Sequence, residues 1–215
     1  MTEVEHINFI IRLFQQEQWQ QLEIEAQQFN QTYPQHSFGW KALSTLYAEQ
    51  SKPPQVIEAL RQAIARSPQE AALHFNLANT LKQTGQQEEA LIHYQQAIVL
   101  NPQLAEAHNN LGVLFHEMGK EAAAISYYES AIRCMPHYAE AHNNLGAAYK
   151  ELGQYEDALR YCQQAIALKP LYADAHCNMG EVYREMGLHE QAVSQLTRAL
   201  ELNSSSEEAL NNLAV

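Results

Sequence analysis

The chain has 215 residues, enough for one or two domains with a sizeable core, and 46% of them are apolar while only 18% are charged. Its formal charge of −12, with no run of basic residues, argues against a sequence-independent grip on nucleic acid, which needs Lys and Arg against phosphate. The three cysteines, Cys134, Cys162 and Cys177, lack any CxxC spacing, so neither a disulfide framework nor a sulfur-rich zinc site is expected, and reduced thiols in a cytoplasmic protein are.

From the N-terminus, "MTEVEHINFIIRLF" carries acidic residues where a secretory signal carries positive charge. Its apolar run is interrupted by Arg12 and is too short to span a membrane. Ile7, Ile10, Ile11 and Phe14 instead fit one face of a helix. A period then sets in. Prolines stand at Pro34, Pro68, Pro102, Pro136 and Pro170, each 34 positions after the last. Glycines keep the same step at Gly112, Gly146 and Gly180, and again at Gly85, Gly119, Gly153 and Gly187. Alanines do so at Ala90, Ala124, Ala158 and Ala192, and from Ala63 through Ala97, Ala131 and Ala165 to Ala199. Such ladders are the mark of a repeat architecture.

Each unit reads as two helices. In 139–152 the residues Ala141, Leu145, Ala148, Tyr149 and Leu152 recur at three- and four-residue spacing, and Gly153 stops the helix. A second helix starts near Tyr155, carries Ala158, Leu159, Ala165, Ile166 and Leu168, and ends at Lys169 and Pro170. A glycine inside a helix costs about 1 kcal/mol against alanine, so Gly112, Gly146 and Gly180 imply close approach of a partner helix. The period makes the chain, 1–215, a single all-α solenoid: a degenerate capping unit at 3–36, then full units at 37–70, 71–104, 105–138, 139–172 and 173–206. The remainder, 207–215, begins another first helix with no partner after it, which suggests a longer parent protein or an external partner.

No Gly-rich phosphate loop, nucleophile elbow or H-E-x-x-H helix occurs, so this segment is not expected to be an enzyme or to bind a cofactor. His74, His108, His142 and His176 occupy equivalent positions on successive first helices. Packed helices lie about 8–10 Å apart and zinc holds its nitrogens at about 2.1 Å, so these histidines cannot converge on a metal and are expected to pack or face water. Asparagines form the more suggestive ladder: Asn76, Asn110, Asn144, Asn178 and Asn212, with Asn109, Asn143 and Asn211 immediately before. An amide offers donors and an acceptor, which suits the backbone of an extended peptide. Helices spaced by about 10 Å would present one asparagine to roughly every third residue of such a peptide at about 3.3 Å each. The alternative is that the amides cap nearby carbonyls or simply solvate a helix face. Lys82, His116, Lys150 and Arg184 follow each rung by six residues and Glu106, Glu140 and Asp174 precede a rung by four, giving the surface one partly basic and one acidic edge.

The 34-residue period with Leu145, Gly146, Tyr149, Ala158, Ala165 and Pro170 resembles the tetratricopeptide repeat. That resemblance implies a right-handed superhelical solenoid and a non-catalytic protein-binding scaffold whose first helices line a concave groove. The expected partner is a protein or peptide in extended conformation, with neither nucleic acid nor membrane. The groove residues it implies are Asn76, Asn109, Asn110, Asn143, Asn144, Asn178, Lys82, Lys150 and Arg184. Lys41 and Asn76 match part of the family's carboxylate clamp, but Glu106 and Asn110 stand where that clamp carries basic residues, so docking of chaperone C-termini is not expected. The units with "HNNLG" and "CNMG" are most similar to the substrate-recruiting arm of O-linked N-acetylglucosamine transferases and SPINDLY proteins. The alternative is a stand-alone adaptor or assembly scaffold that pairs, with a homodimer as one form, through the terminal helix or convex face.

Overall fold

The computed structural model describes residues 1–204 and 207–213, which hold thirteen α-helices and no strand. The last two positions of the unit 173–206 and the last two of 207–215 lie outside the described residues. Two compact units divide the chain. The first, Met1–Pro102, contains α1 (Glu3–Gln15), α2 (Trp19–Thr32), α3 (Phe38–Glu49), α4 (Pro53–Arg66), α5 (Ala71–Gln83) and α6 (Gln87–Leu100). The second, Gln103–Val215, contains α7 (Ala105–Glu117), α8 (Glu121–Cys134), α9 (Ala139–Glu151), α10 (Tyr155–Leu168), α11 (Ala173–Glu185), α12 (His189–Leu202) and α13 (Glu207–Leu213). Within each unit every helix packs on the next, the all-α arrangement of a helical solenoid.

A repeated turn joins the two helices of each pair. The amide of Gln86 donates to the carbonyl of Leu81, Lys120 to Phe115, Gln154 to Tyr149 and Leu188 to Tyr183, closing the first helix with a left-handed residue. Gly85, Gly119, Gly153 and Gly187 hold that conformation, with φ between 69° and 78°. The same register in the first unit falls on Glu17 and Ser51, at φ 54° and 53°. The turn geometry therefore persists where the glycine is missing. At the other end of each pair, the amides of Ser67, Asn101, Met135, Lys169 and Asn203 cap the second helix on the carbonyls of Ala63, Ala97, Ala131, Ala165 and Ala199. Those alanines are all buried. The first helix begins differently: Thr2 and Glu5 form a capping box, from the sequence "TEVE".

Close packing of the paired helices rests on the interior glycines. A Cβ placed on Gly112 would lie 2.7 Å from the ring of Tyr128, on Gly146 2.7 Å from Cys162 Sγ, and on Gly180 2.7 Å from Leu196. Ala158 contributes its backbone, with its carbonyl oxygen 3.1 Å from that point on Gly146. In the first unit, Ala78 holds the glycine register and Tyr94, fully buried, the facing one. Leu145 and Ala148 then pack with Ala124 and Tyr128 of the preceding pair. Burial raises the pKa of the Cys162 thiol to about 12.

Two apolar assignments shift. Leu152 is 47% exposed, because α9 ends at Glu151 and Leu152 is its C-cap residue, turned off the helix face. On α1, Ile10 is buried and Ile7 and Phe14 pack against the core, but Ile11 is exposed, one residue round from the buried stripe.

Two stability measurements test these contacts. Gly146→Ala gains about 1 kcal/mol of helix propensity but overpacks Cys162 by roughly 1–3 kcal/mol. The expected net loss is about 1 kcal/mol by urea titration, and Cys162→Ala in the same chain should recover it. Ser51→Gly should raise stability by about 1 kcal/mol, since it relieves a left-handed serine; an unchanged midpoint refutes this.

Candidate functional site

In the second unit, α7, α9, α11 and α13 touch in succession, and the asparagine ladder crosses those contacts. Asn109, 5% exposed, lies in α7 and Asn143 holds the same place in α9. The amide Nδ2 of Asn144 donates to Asn109 Oδ1 at 3.0 Å, and that of Asn178 to Asn143 Oδ1 at 2.9 Å. Asn109 in turn donates to Asn110 Oδ1 at 3.3 Å. Asn109 and Asn143 are buried receivers for the next helix, and Asn144 and Asn178 reach back to the previous one, so the doubled "NN" at 143–144 divides its roles. One N–H of Asn144 and of Asn178 is thus already engaged. Their carbonyl oxygens accept no hydrogen bond among the described residues.

The third step of the ladder breaks the pattern. Cys177 stands where Asn109 and Asn143 stand earlier, and packs with Leu196, Ala199 and Ala209. With no amide to receive it, Asn212 Nδ2 donates to Glu181, and its Oδ1 accepts from Arg184 at 2.8 Å. Glu181 is only 7% exposed and also binds the ammonium of Lys150. Its register holds Val113 and Ala147 in the preceding units, so this buried carboxylate is peculiar to α11. Burial works against the Lys150 charge, but hydrogen bonding to Glu181 and the charges of Glu181 and Glu151 hold its pKa above the ordinary lysine value. Lys150 is therefore paired with Glu181, and Arg184 with Glu185 at 3.0 Å, so the basic edge expected in this unit is neutralised.

The opposite edge is acidic and aromatic. Burial first, then the charges of Asp174 and Glu140, raise the pKa of Tyr172. Tyr138 is raised by burial and by Glu106 and Glu140. The carboxylates at 106, 140 and 174 thus sit beside the ladder, with Glu140 also 3.3 Å from Lys169. Asn76 and Lys82 belong to α5 of the first unit, where Asn76 is exposed.

The histidines serve the scaffold. His74, His108, His142 and His176 are all buried. Nε2 of His74, His142 and His176 lies 3.1, 3.0 and 3.3 Å from the carbonyls of Pro68, Pro136 and Pro170, tying each first helix to the proline turn before it. Each ring meets the residue nineteen positions on: His93, Tyr127, Tyr161 or Gln195. His6 falls on the same register, is buried, and binds Glu25 at 3.0 Å, a member of the ladder that the 34-residue step reveals only when carried back to the first helix. Among the described residues no three His, Cys, Asp or Glu side chains converge as metal ligands. No described helix is long and apolar enough to cross a membrane.

Stacked helix pairs with a polar ladder on their touching first helices define a repeat scaffold. Models described as "TPR repeat" match residues 78–119 and 115–153, and models described as "Tetratricopeptide repeat" match 137–205 and 59–92. The chain belongs to the tetratricopeptide-repeat family of non-catalytic scaffolds. No curated protein matches it. Among solved structures it is similar to PilF of Pseudomonas aeruginosa, at 19% identity and TM-score 0.81, over 99% of this chain and 96% of that one. It is similar to PilW, a type IV pilus biogenesis factor, at 18% identity and TM-score 0.79, over 98% of each chain. YrrB, described as a TPR protein with an unusual peptide-binding site, matches at 16% identity and TM-score 0.72, over 88% of this chain and 98% of its own. These identities establish shared fold.

The Lys150–Glu181 pair is testable by a mutant cycle. Glu181→Ala should cost about 2–3 kcal/mol, somewhat less than a fully buried pair because the Lys150 side chain is 16% exposed. Combining it with Lys150→Met should restore most of the loss, since no unpaired charge then remains. A double variant as unstable as Glu181→Ala alone contradicts the pairing.

Proposed function

We propose that the first-helix face of the second unit binds an extended polypeptide through its backbone, with Asn144 and Asn178 as acceptors. The single observation behind this reading is the pair of carbonyl oxygens, Asn144 Oδ1 and Asn178 Oδ1, held in place by their own N–H bonds to the neighbouring helices. Preorganised acceptors lose little freedom when a peptide N–H meets them. Asn109, Asn110 and Asn143 support the ladder from beneath and beside it. Because Lys150, Arg184 and Glu140 are already paired, the charge that a ligand meets comes from Glu106 and Asp174, so the peptide is one with basic side chains. The overall charge of −12 favours encounter with such a partner. Asn76 and Lys82 carry the same register in the first unit and are proposed to act there alike.

On the likeness of the "HNNLG" units to glycosyltransferase arms, the finer proposal is that the chain recruits substrates for such an enzyme in the cytoplasm. A stand-alone adaptor, in monomeric or self-paired form, is the alternative, and the gene sequence beyond Val215 distinguishes them. Cys134, Cys162 and Cys177 form no disulfide among the described residues, which suits a reducing compartment.

The binding reading is tested by selecting ligands for the wild-type chain from a random dodecapeptide library and measuring them by fluorescence anisotropy. Two lost hydrogen bonds at about 1 kcal/mol each should weaken binding to Asn144→Ala/Asn178→Ala by roughly thirtyfold, with helical content retained. Backbone N-methylation of the same peptide should weaken it comparably. Equal affinity of both peptides for both proteins would refute the ladder's role.

A further inference from the structure

One rung of the histidine ladder is built differently from the rest. Nineteen positions after each ladder histidine stands its partner: Glu25 for His6, Tyr127 for His108, Tyr161 for His142 and Gln195 for His176. For His74 the partner is a second histidine, His93, and the two Nδ1 atoms lie 3.0 Å apart across α5 and α6. Their rings tilt by 32°, with centroids 5.2 Å apart. Of these contacts, this one alone joins two imidazoles, the side chain whose ordinary pKa lies nearest neutrality.

The proton positions follow from the surroundings. Nε2 of His74 lies 3.1 Å from the carbonyl of Pro68, which can only accept. Nε2 therefore carries the hydrogen, and Nδ1 is the bare nitrogen of the neutral ring. The hydrogen in the 3.0 Å gap then belongs to His93 Nδ1, and His93 Nε2 is bare in turn. In that arrangement His93 donates to His74 and the contact is satisfied. The next proton goes to His93 Nε2, the one bare nitrogen outside the gap. Placing it on His74 instead would set two N–H groups against each other.

The surroundings of His93 oppose the added charge. Its side chain is only 19% exposed, so most of its hydration is lost. The carboxylate of Glu89 lies 3.9 Å from His93 Nε2, beyond hydrogen-bond reach. Both oxygens of Glu89 are engaged by Arg61 of α4, at 2.8 and 2.9 Å, and that guanidinium repels an imidazolium. Burial first, then the charge of His74, with a smaller push from Arg61, hold the His93 pKa below the ordinary histidine value, against the pull of Glu89.

We infer that the His74–His93 contact is a pH-sensitive joint, in which a proton taken up by His93 loosens α6 from α5. A folded-state pKa below the unfolded one means that the unfolded chain binds this proton more readily. The joint's contribution to stability is therefore complete above about pH 6.5 and is lost as pH falls through the folded value. Because α5 also carries Asn76 and Lys82, acidification acts on the first-helix face of this unit. Between α11 and α12 the same register is filled without a second imidazole, by Gln195 at 2.8 Å from His176 Nδ1.

The test follows backbone amide hydrogen exchange of the full chain at about pH 7.5 and about pH 5, corrected for the intrinsic pH dependence of exchange. Protection in α6 should fall on acidification by more than protection in α12. His93→Gln copies the glutamine contact and should bring the α6 loss down to the α12 level. Arg61→Gln removes the repelling charge and frees Glu89 to meet the imidazolium, so it should shrink the loss with both histidines in place. Equal losses in α6 and α12 of the wild-type chain overturn the inference. So does a His93→Gln chain that keeps the wild-type loss, or an Arg61→Gln chain in which the loss is not reduced.

Discussion

Most of this structure depends on how closely the two helices of a pair can approach. Where Gly112, Gly146 and Gly180 face Tyr128, Cys162 and Leu196, a single added carbon would lie inside van der Waals distance of its neighbour. The contact sets the depth at which the second helix sits. From there Leu145 and Ala148 reach the preceding pair, beside Ala124 and Tyr128. The left-handed residue at the end of each first helix turns the chain back at the right place for that contact. The turn survives in Glu17 and Ser51, which shows that packing dictates the backbone and that glycine merely makes it cheaper.

Built on that spacing, the first helices of the second unit come close enough for side-chain amides to bridge them. The bridges convert a row of identical-looking asparagines into two classes, buried receivers and outward acceptors. The same spacing explains the local exception. Once Cys177 removes a receiver, Asn212 needs another acceptor, and Glu181 supplies it while also holding Lys150. A buried carboxylate is tolerable there because a cation and an amide both satisfy it. The face that results is rich in acceptors and acidic at one edge, so its chemistry differs from the balanced groove that charges along the sequence suggest.

How much of this could be read from the residues alone varies by kind of feature. The helix pairs, their turns and the close-packed glycines were legible, because a 34-residue step displays the same constraint several times over. The apolar face was less so: Leu152 fits the spacing yet caps its helix, and Ile11 lies just off the stripe of α1. The histidines were legible as a ladder, whereas their bonds to proline carbonyls six residues back depend on the turn geometry. Asn30 and Gly39 stand out in the sequence only as departures from register, on two different helices, and carry no visible connection until the fold sets one against the other.

The sequence by itself determined the repeat, the helical class and the membership of the family, since these follow from periodic volume and backbone preference within a few tens of residues. Tertiary structure alone decided which polar groups are left to act. Asn144 pairs with Asn109 across 35 residues, and Lys150 with Glu181 across 31. Whether an amide or a charge is engaged or available depends on what the neighbouring helix brings within 3 Å, and that distance is fixed by packing between helices rather than by order along the chain.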